Sequence, residues 1–170
     1  MSAEYVGKGR APVMSPSKLI KNRREQQAVR LWLELLRCAK MMETNFGSKL
    51  RKNFGQSLTR FDALSQLYRA DGMTLPVTIL ASRLLASASN NITGLIDRME
   101  NDGLVVRKPN PDDRRSFIVR LTRKGASLFE DMAIEHGHWV GQGFGEISAA
   151  DLRSMQSSMM ELRKHLELME

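Results

Sequence analysis

The sequence predicts a mainly α chain with one small β-hairpin, an α+β fold in which a compact basic middle lies between two long terminal helices. Three observations predict it. Apolar residues recur every three or four positions through most of the 170 residues, the signature of amphipathic helices. Between Leu104 and Leu121 the period changes to two, as in a pair of strands. The formal charge of +7 is also unevenly placed, with +5 over residues 1–24, +3 over 25–72, +4 over 73–124 and −5 over 125–170. A chain of this length with 42% hydrophobic and 26% charged residues suits one ordinary domain, which sets aside disordered and low-complexity classes. The single cysteine, Cys38, cannot form an internal disulfide, and no Cys/His spacing would hold zinc, so a reducing, cytoplasmic setting without a cofactor is expected. The longest uncharged stretch near the middle contains Ser87, Ser89, Asn90, Asn91 and Thr93, too polar to cross a bilayer.

The elements follow in order. Residues 1–17, with two Pro, two Gly and three Ser, read as a flexible basic arm. From about Leu19 to Phe54, the residues Val29, Trp32, Leu33, Leu36, Ala39, Met42 and Phe46 describe a long amphipathic helix. Thr59 with Asp62 resembles a capping box for a shorter helix carrying Phe61, Leu64, Leu67 and Tyr68 and ending at Asp71-Gly72. After a connection at Met73 to Leu75, Pro76 suits the first turn of a third helix running through Ile79, Leu80 and Leu84 to Ala86–Ser89. A fourth helix, Asn90 to Asp102, presents Ile92, Leu95, Ile96 and Met99 on one face, with Gly103 as C-terminal cap. Leu104 to Lys108 and Phe117 to Leu121 form a hairpin around a long basic tip. Thr122 caps a fifth helix containing Leu128, Met132 and Trp139, which Gly141, Gly143 and Gly145 weaken or end. Ser148 with Asp151 caps the last, where Leu152, Met155, Met159, Leu162, Leu166 and Met169 fall at alternating steps of three and four. Such a seam needs a partner helix. Two terminal helices with apolar stripes fit poorly into one small core, so residues 18–54 and 125–170 are expected to form a homodimerisation region around residues 55–124.

Three short helices followed by a hairpin is the plan of a winged helix-turn-helix, whose last helix enters the DNA major groove while the hairpin reaches along the backbone. The outer face of that helix carries Ser87, Asn90, Gly94, Asp97 and Arg98, flanked by Asn91 and Thr93. Asn can read an adenine edge, and Ser and Thr can bond base or phosphate. Residues Arg107 to Lys124 hold seven basic side chains, among them Arg114 and Arg115 at the tip, where arginine can enter a narrow minor groove. A solvated polar helix surface and an ordinary charged turn would show the same composition.

The stretches Leu95-Ile96-Asp97-Arg98-Met99-Glu100-Asn101-Asp102-Gly103-Leu104-Val105 and Asp113-Arg114-Arg115-Ser116, leading to Leu121-Thr122-Arg123-Lys124-Gly125, resemble the MarR family of bacterial transcriptional regulators. The resemblance covers roughly Val29 to Leu168. It implies a homodimer with interleaved terminal helices on a double-stranded, pseudo-palindromic DNA operator, usually as a repressor released by a small ligand. It further implies that Arg115 is the wing-tip arginine, Asp113 its orienting carboxylate and Asp97 the helix aspartate that braces the wing.

The resemblance also implies a cleft for an aromatic carboxylate or phenolic effector. Trp32, Arg37, Met42, Arg60, Phe61 and His136 are residue types that could line it. Leu31 to Cys38 looks like relatives that control the catabolism of hydroxycinnamic and other aromatic acids and respond to the CoA thioesters of hydroxycinnamic acids. Cys38, with no local His or helix N-terminus to lower its pKa, reads as a buried structural thiol, with a cysteine-based redox sensor as the alternative. An enzyme is not expected: no nucleophile elbow, P-loop or metal spacing is present, and Gly141-x-Gly143-x-Gly145 follows a helix where a dinucleotide fingerprint needs a strand.

Overall fold

The computed structural model describes residues 22–85, 91–111 and 116–169. The chain divides into two compact units, Met1–Asn45 and Phe46–Glu170. Helix α1 (Arg23–Phe54) begins in the first unit, where Asn22 accepts a hydrogen bond from the backbone N–H of Arg24 at 2.9 Å and Glu25 stands in the first turn. The exposed pairs Arg37–Glu34 (2.5 Å) and Lys40–Glu43 (3.1 Å) line this segment.

The second unit contains the last turns of α1, with Gly47 and Leu50 buried, and the remaining elements. Helix α2 (Leu58–Tyr68) is capped by Ser57, whose hydroxyl accepts from the Arg60 N–H at 3.2 Å. The cap expected at Thr59 therefore lies two residues earlier. A 3₁₀ turn at Asp71–Met73 follows, in which Gly72 and the non-glycine Met73 both adopt the left-handed region (φ 58° and 52°). Strand β1 (Thr74–Pro76) occupies the stretch expected to be a connection, and Pro76 precedes α3 (Val77–Arg83). α3 ends at Arg83, short of the expected end; the residues expected to finish it, 86–90, lie outside the described residues.

Helix α4 (Ile92–Asn101) closes at Gly103, which takes φ +71° and lets Leu104 N–H reach the Met99 carbonyl at 2.9 Å. Strands β2 (Val105–Pro109) and β3 (Phe117–Leu121) form the hairpin, and β1 joins β3 on its other side, giving the antiparallel order β1-β3-β2. Val119 pairs with Leu75 on one side and Arg107 on the other. Helices α5 (Arg123–Gly143) and α6 (Ala149–Glu167) start at the expected caps, Thr122 and Ser148. The core joins Leu64, Leu67, Leu80, Ile96, Met99, Val105, Val119 and Met132, each fully buried. At about 1.5–3 kcal/mol per large apolar side chain, this cluster fixes α2, α4, α5 and the sheet as one body. No residue of α6 is buried.

Candidate nucleic-acid interface

Helix α4 turns Leu95, Ile96 and Met99 into the core and leaves Thr93, Asp97 and Arg98 exposed. Its first turn is held by Asn91, whose Oδ1 accepts from the Gly94 N–H at 3.1 Å. A Cβ on residue 94 would lie 2.7 Å from that oxygen, so Gly94 makes room for the cap.

The hairpin is fastened to α4 by Arg107 of β2. Its guanidinium pairs with Asp97 and lies 3.2 Å from Glu100 Oε2, and its backbone N–H donates to Glu100 Oε1 at 2.8 Å. The Phe117 ring of β3 packs 5.0 Å from the same guanidinium. Charge-assisted contacts with two carboxylates plus a ring fix the angle between wing and helix. Arg107 is thus turned towards α4, whereas Arg98, Lys108, Arg120 and Arg123 are exposed cations of this unit. Composition alone does not separate these roles; the spacing of Asp97 and Glu100, three apart on one helix face, is the signal that marks a shared partner.

A second set of ties comes from α2. Arg60 Nη1 lies 2.7 Å from Asp102 Oδ2 at the end of α4 and donates to Gln56 Oε1 at 3.0 Å, so its guanidinium is already engaged. Asp62 accepts from the Leu85 N–H at 2.7 Å, and Gln66 donates to the Arg83 carbonyl at 3.2 Å. The sequence reading placed Asp62 in a cap and did not single out Gln66.

The residues expected to bind an effector fall in both units. Trp32, Arg37 and Met42 belong to the first unit, where Trp32 is exposed and Arg37 pairs with Glu34. Cys38 is exposed on the single chain, which corrects its reading as a buried thiol: its position on α1 does not fall on a covered stripe. In the second unit Phe61 and His136 meet at 4.7 Å between ring centroids, flanked by Phe46 (5.3 Å from His136) and Phe129 (5.6 Å from Phe61). Burial pushes the His136 imidazolium below its usual range. Tyr68, its ring 4.8 Å from that of Phe129 and tilted 42° to it, donates to Glu130 at 2.8 Å, and that carboxylate pushes the phenol pKa up. Ser87, Ser89, Asn90, Asp113, Arg114 and Arg115 lie outside the described residues. Among the described residues no helix is long and apolar enough to cross a membrane, and no group of three His, Cys, Asp or Glu could hold a metal ion.

The MarR family profile matches residues 57–117. The transcriptional activatory protein BadR of Rhodopseudomonas palustris is 35% identical over 129 residues, which cover 74% of this chain and 71% of that protein. A MarR family transcriptional regulator from Silicibacter pomeroyi superposes with a TM-score of 0.71 at 30% identity, covering 88% of this chain and 100% of the other. A MarR family regulator from Streptomyces coelicolor, solved in complex with DNA, gives a TM-score of 0.73 over 85% of this chain and 89% of its own; at 23% identity that likeness is one of fold.

Proposed function

Because this chain belongs to the MarR family of DNA-binding transcriptional regulators, and is not an enzyme, we propose that it binds a pseudo-palindromic operator as a homodimer and represses until a small aromatic carboxylate or its CoA thioester releases it. The observation that carries operator binding is the Arg107 fastening, which presents the hairpin and α4 as one surface. In this reading Asn91, Thr93 and Arg98, with Ser87, Ser89 and Asn90 before them, face the major groove, and Arg114 and Arg115, oriented by Asp113, reach the minor groove. Asp97 orients the wing through Arg107. With its Oδ1 on the Gly94 N–H, Asn91 offers DNA its amide N–H₂.

The uncovered α6 seam supports the homodimer, since Met155, Leu162 and Leu166 are each at least 40% exposed on a single chain. The Phe46–His136–Phe61 ring cluster supports an aromatic effector, with an apolar wall and one titratable edge. Repression is what the family resemblance implies; a reporter gene behind the operator reads the sign directly.

A gel-shift titration tests the reading. Arg115→Ala should weaken operator binding while the dimer stays folded, and each lost phosphate contact should lower the log-log salt slope by about 0.9. A slope near zero in the unaltered protein would defeat it. Aromatic acids and their CoA thioesters, screened by thermal shift and then by release from DNA, test the effector. The exposure of Cys38 favours one second reading, a thiol-based response. Peroxide that releases DNA from the unaltered protein and not from Cys38→Ser would establish it.

A further inference from the structure

Helix α2 carries a short run of polar side chains that touch the end of α3 and the C-cap of α4. At the end of α3 the carboxylate of Asp62 is bound twice: Oδ2 accepts the Leu85 N–H at 2.7 Å and Oδ1 accepts from Gln66 Nε2 at 3.2 Å. The same Gln66 amide donates to the Arg83 carbonyl at 3.2 Å. Asp62 and Gln66 stand one helical turn apart on α2, so together they grip the end of α3 at a carbonyl and at an N–H two residues on. At the end of α4 Arg60 pairs with the C-cap Asp102, its side chain 14% exposed.

We infer that α2 is the positioning element of the DNA-binding unit, with Asp62 and Gln66 holding the end of α3, the helix that precedes the recognition helix, and Arg60 holding the C-cap of the recognition helix itself. Ser57 and Phe61 anchor α2 itself, through its cap and through the Phe129 ring. Loss of Asp62 removes the hold on the Leu85 N–H and one partner of the Gln66 amide, leaving the Gln66 bond to the Arg83 carbonyl, while the core under α2 (Ala63, Leu64, Leu67) stays as it is. Side chains that touch no base then govern sequence selectivity, because base contacts depend on sub-ångström placement of α4 whereas phosphate attraction does not.

This rests on the operator-binding reading, and the sign of one substitution tests it. A carboxylate on a surface that meets DNA repels phosphate, so electrostatics alone makes Asp62→Ala bind DNA more tightly. A positioning role makes it bind the operator more weakly. The probes are a duplex selected by the unaltered protein from a randomised pool and a scrambled duplex of equal length and composition, titrated at one salt concentration. Asp62→Ala should bind the selected duplex about 10- to 100-fold more weakly, the size expected for hydrogen bonds to a charged group, and the scrambled duplex as well as before or slightly better. Asp62→Asn, which keeps one acceptor, should recover part of the loss, and Gln66→Ala should lose about tenfold or less. Equal or tighter binding of the selected duplex by Asp62→Ala overturns the inference, as does an equal loss on both duplexes, which marks general loss of fold. If Asp62→Ala does not fold, an unchanged ratio of selected to scrambled affinity in Asp62→Asn and Gln66→Ala overturns it. Failure of the unaltered protein to enrich any duplex defeats the operator reading itself and is told apart from a failure confined to the variants.

Discussion

Helices α4 and α6 have the same kind of apolar periodicity and opposite fates in the single chain. In α4 the stripe Leu95, Ile96 and Met99 is buried, both ends are capped, and Asp97, Glu100 and Asp102 are each engaged by an arginine from another element. In α6 the caps are equally sound, with Ser148 and Asp151 bonded at 2.6 Å, yet no residue is buried and the seam from Met155 to Met169 is open. Periodicity tells which face wants cover. It does not tell whether the cover comes from the same chain.

The largest expected effect breaks the open side of this comparison. Leu162→Glu places a charge in the seam twice by symmetry, and removes about 3–6 kcal/mol of association free energy. Analytical ultracentrifugation should then show monomer, and operator binding should go with it; a monomer that still binds one palindrome tightly would contradict the homodimer. On the closed side, Arg107→Lys keeps the charge and loses the planar fork, so the operator affinity should fall about 10- to 100-fold with the dimer intact. If Arg107 served as a phosphate contact, Lys would replace it with little loss, and the gel shift separates the two. A matched pair of caps sharpens the contrast: Asn91→Ala and Ser148→Ala should each cost about 1 kcal/mol in chemical denaturation, and only Asn91→Ala should also weaken DNA binding.

The smallest effect concerns pH. Burial holds His136 below its ordinary 6.5, so the unfolded chain takes up the proton first as pH falls. Stability should therefore be flat above about 6.5 and decline below it, towards the depressed folded value. His136→Gln should flatten that decline in thermal melts across the same range.

Much of the closed region was legible in the sequence because its signals are local. Thr122, Ser148 and Gly103 are caps that a few neighbouring residues define, and the face of α4 follows from four spacings. Strand β1 was not legible: three residues show no alternation, and Pro76 argues against a strand unless it lies at a sheet edge, where pairing with β3 alone places it. The cap of α2 was misplaced because Ser57 and Thr59 are both eligible, and only backbone geometry selects between them. The roles of Arg60 and Arg107 depend on partners 42 and 7–10 positions away, which charge counting cannot supply. The exposure of Cys38 is equally invisible to composition.

Gly125 gives the molecule a stiff joint. A Cβ there would lie 2.2 Å from the carbonyl oxygen of Leu104, which already accepts the Thr122 N–H at 3.0 Å. Lys124 adds a bond from its ammonium to the Asp102 carbonyl at 2.8 Å. The first turn of α5 and the turn after α4 are therefore in contact backbone to backbone, with no side chain between them to yield. The start of α5 and the base of the wing are thereby held as one stiff piece, and any side chain at residue 125 would force them apart.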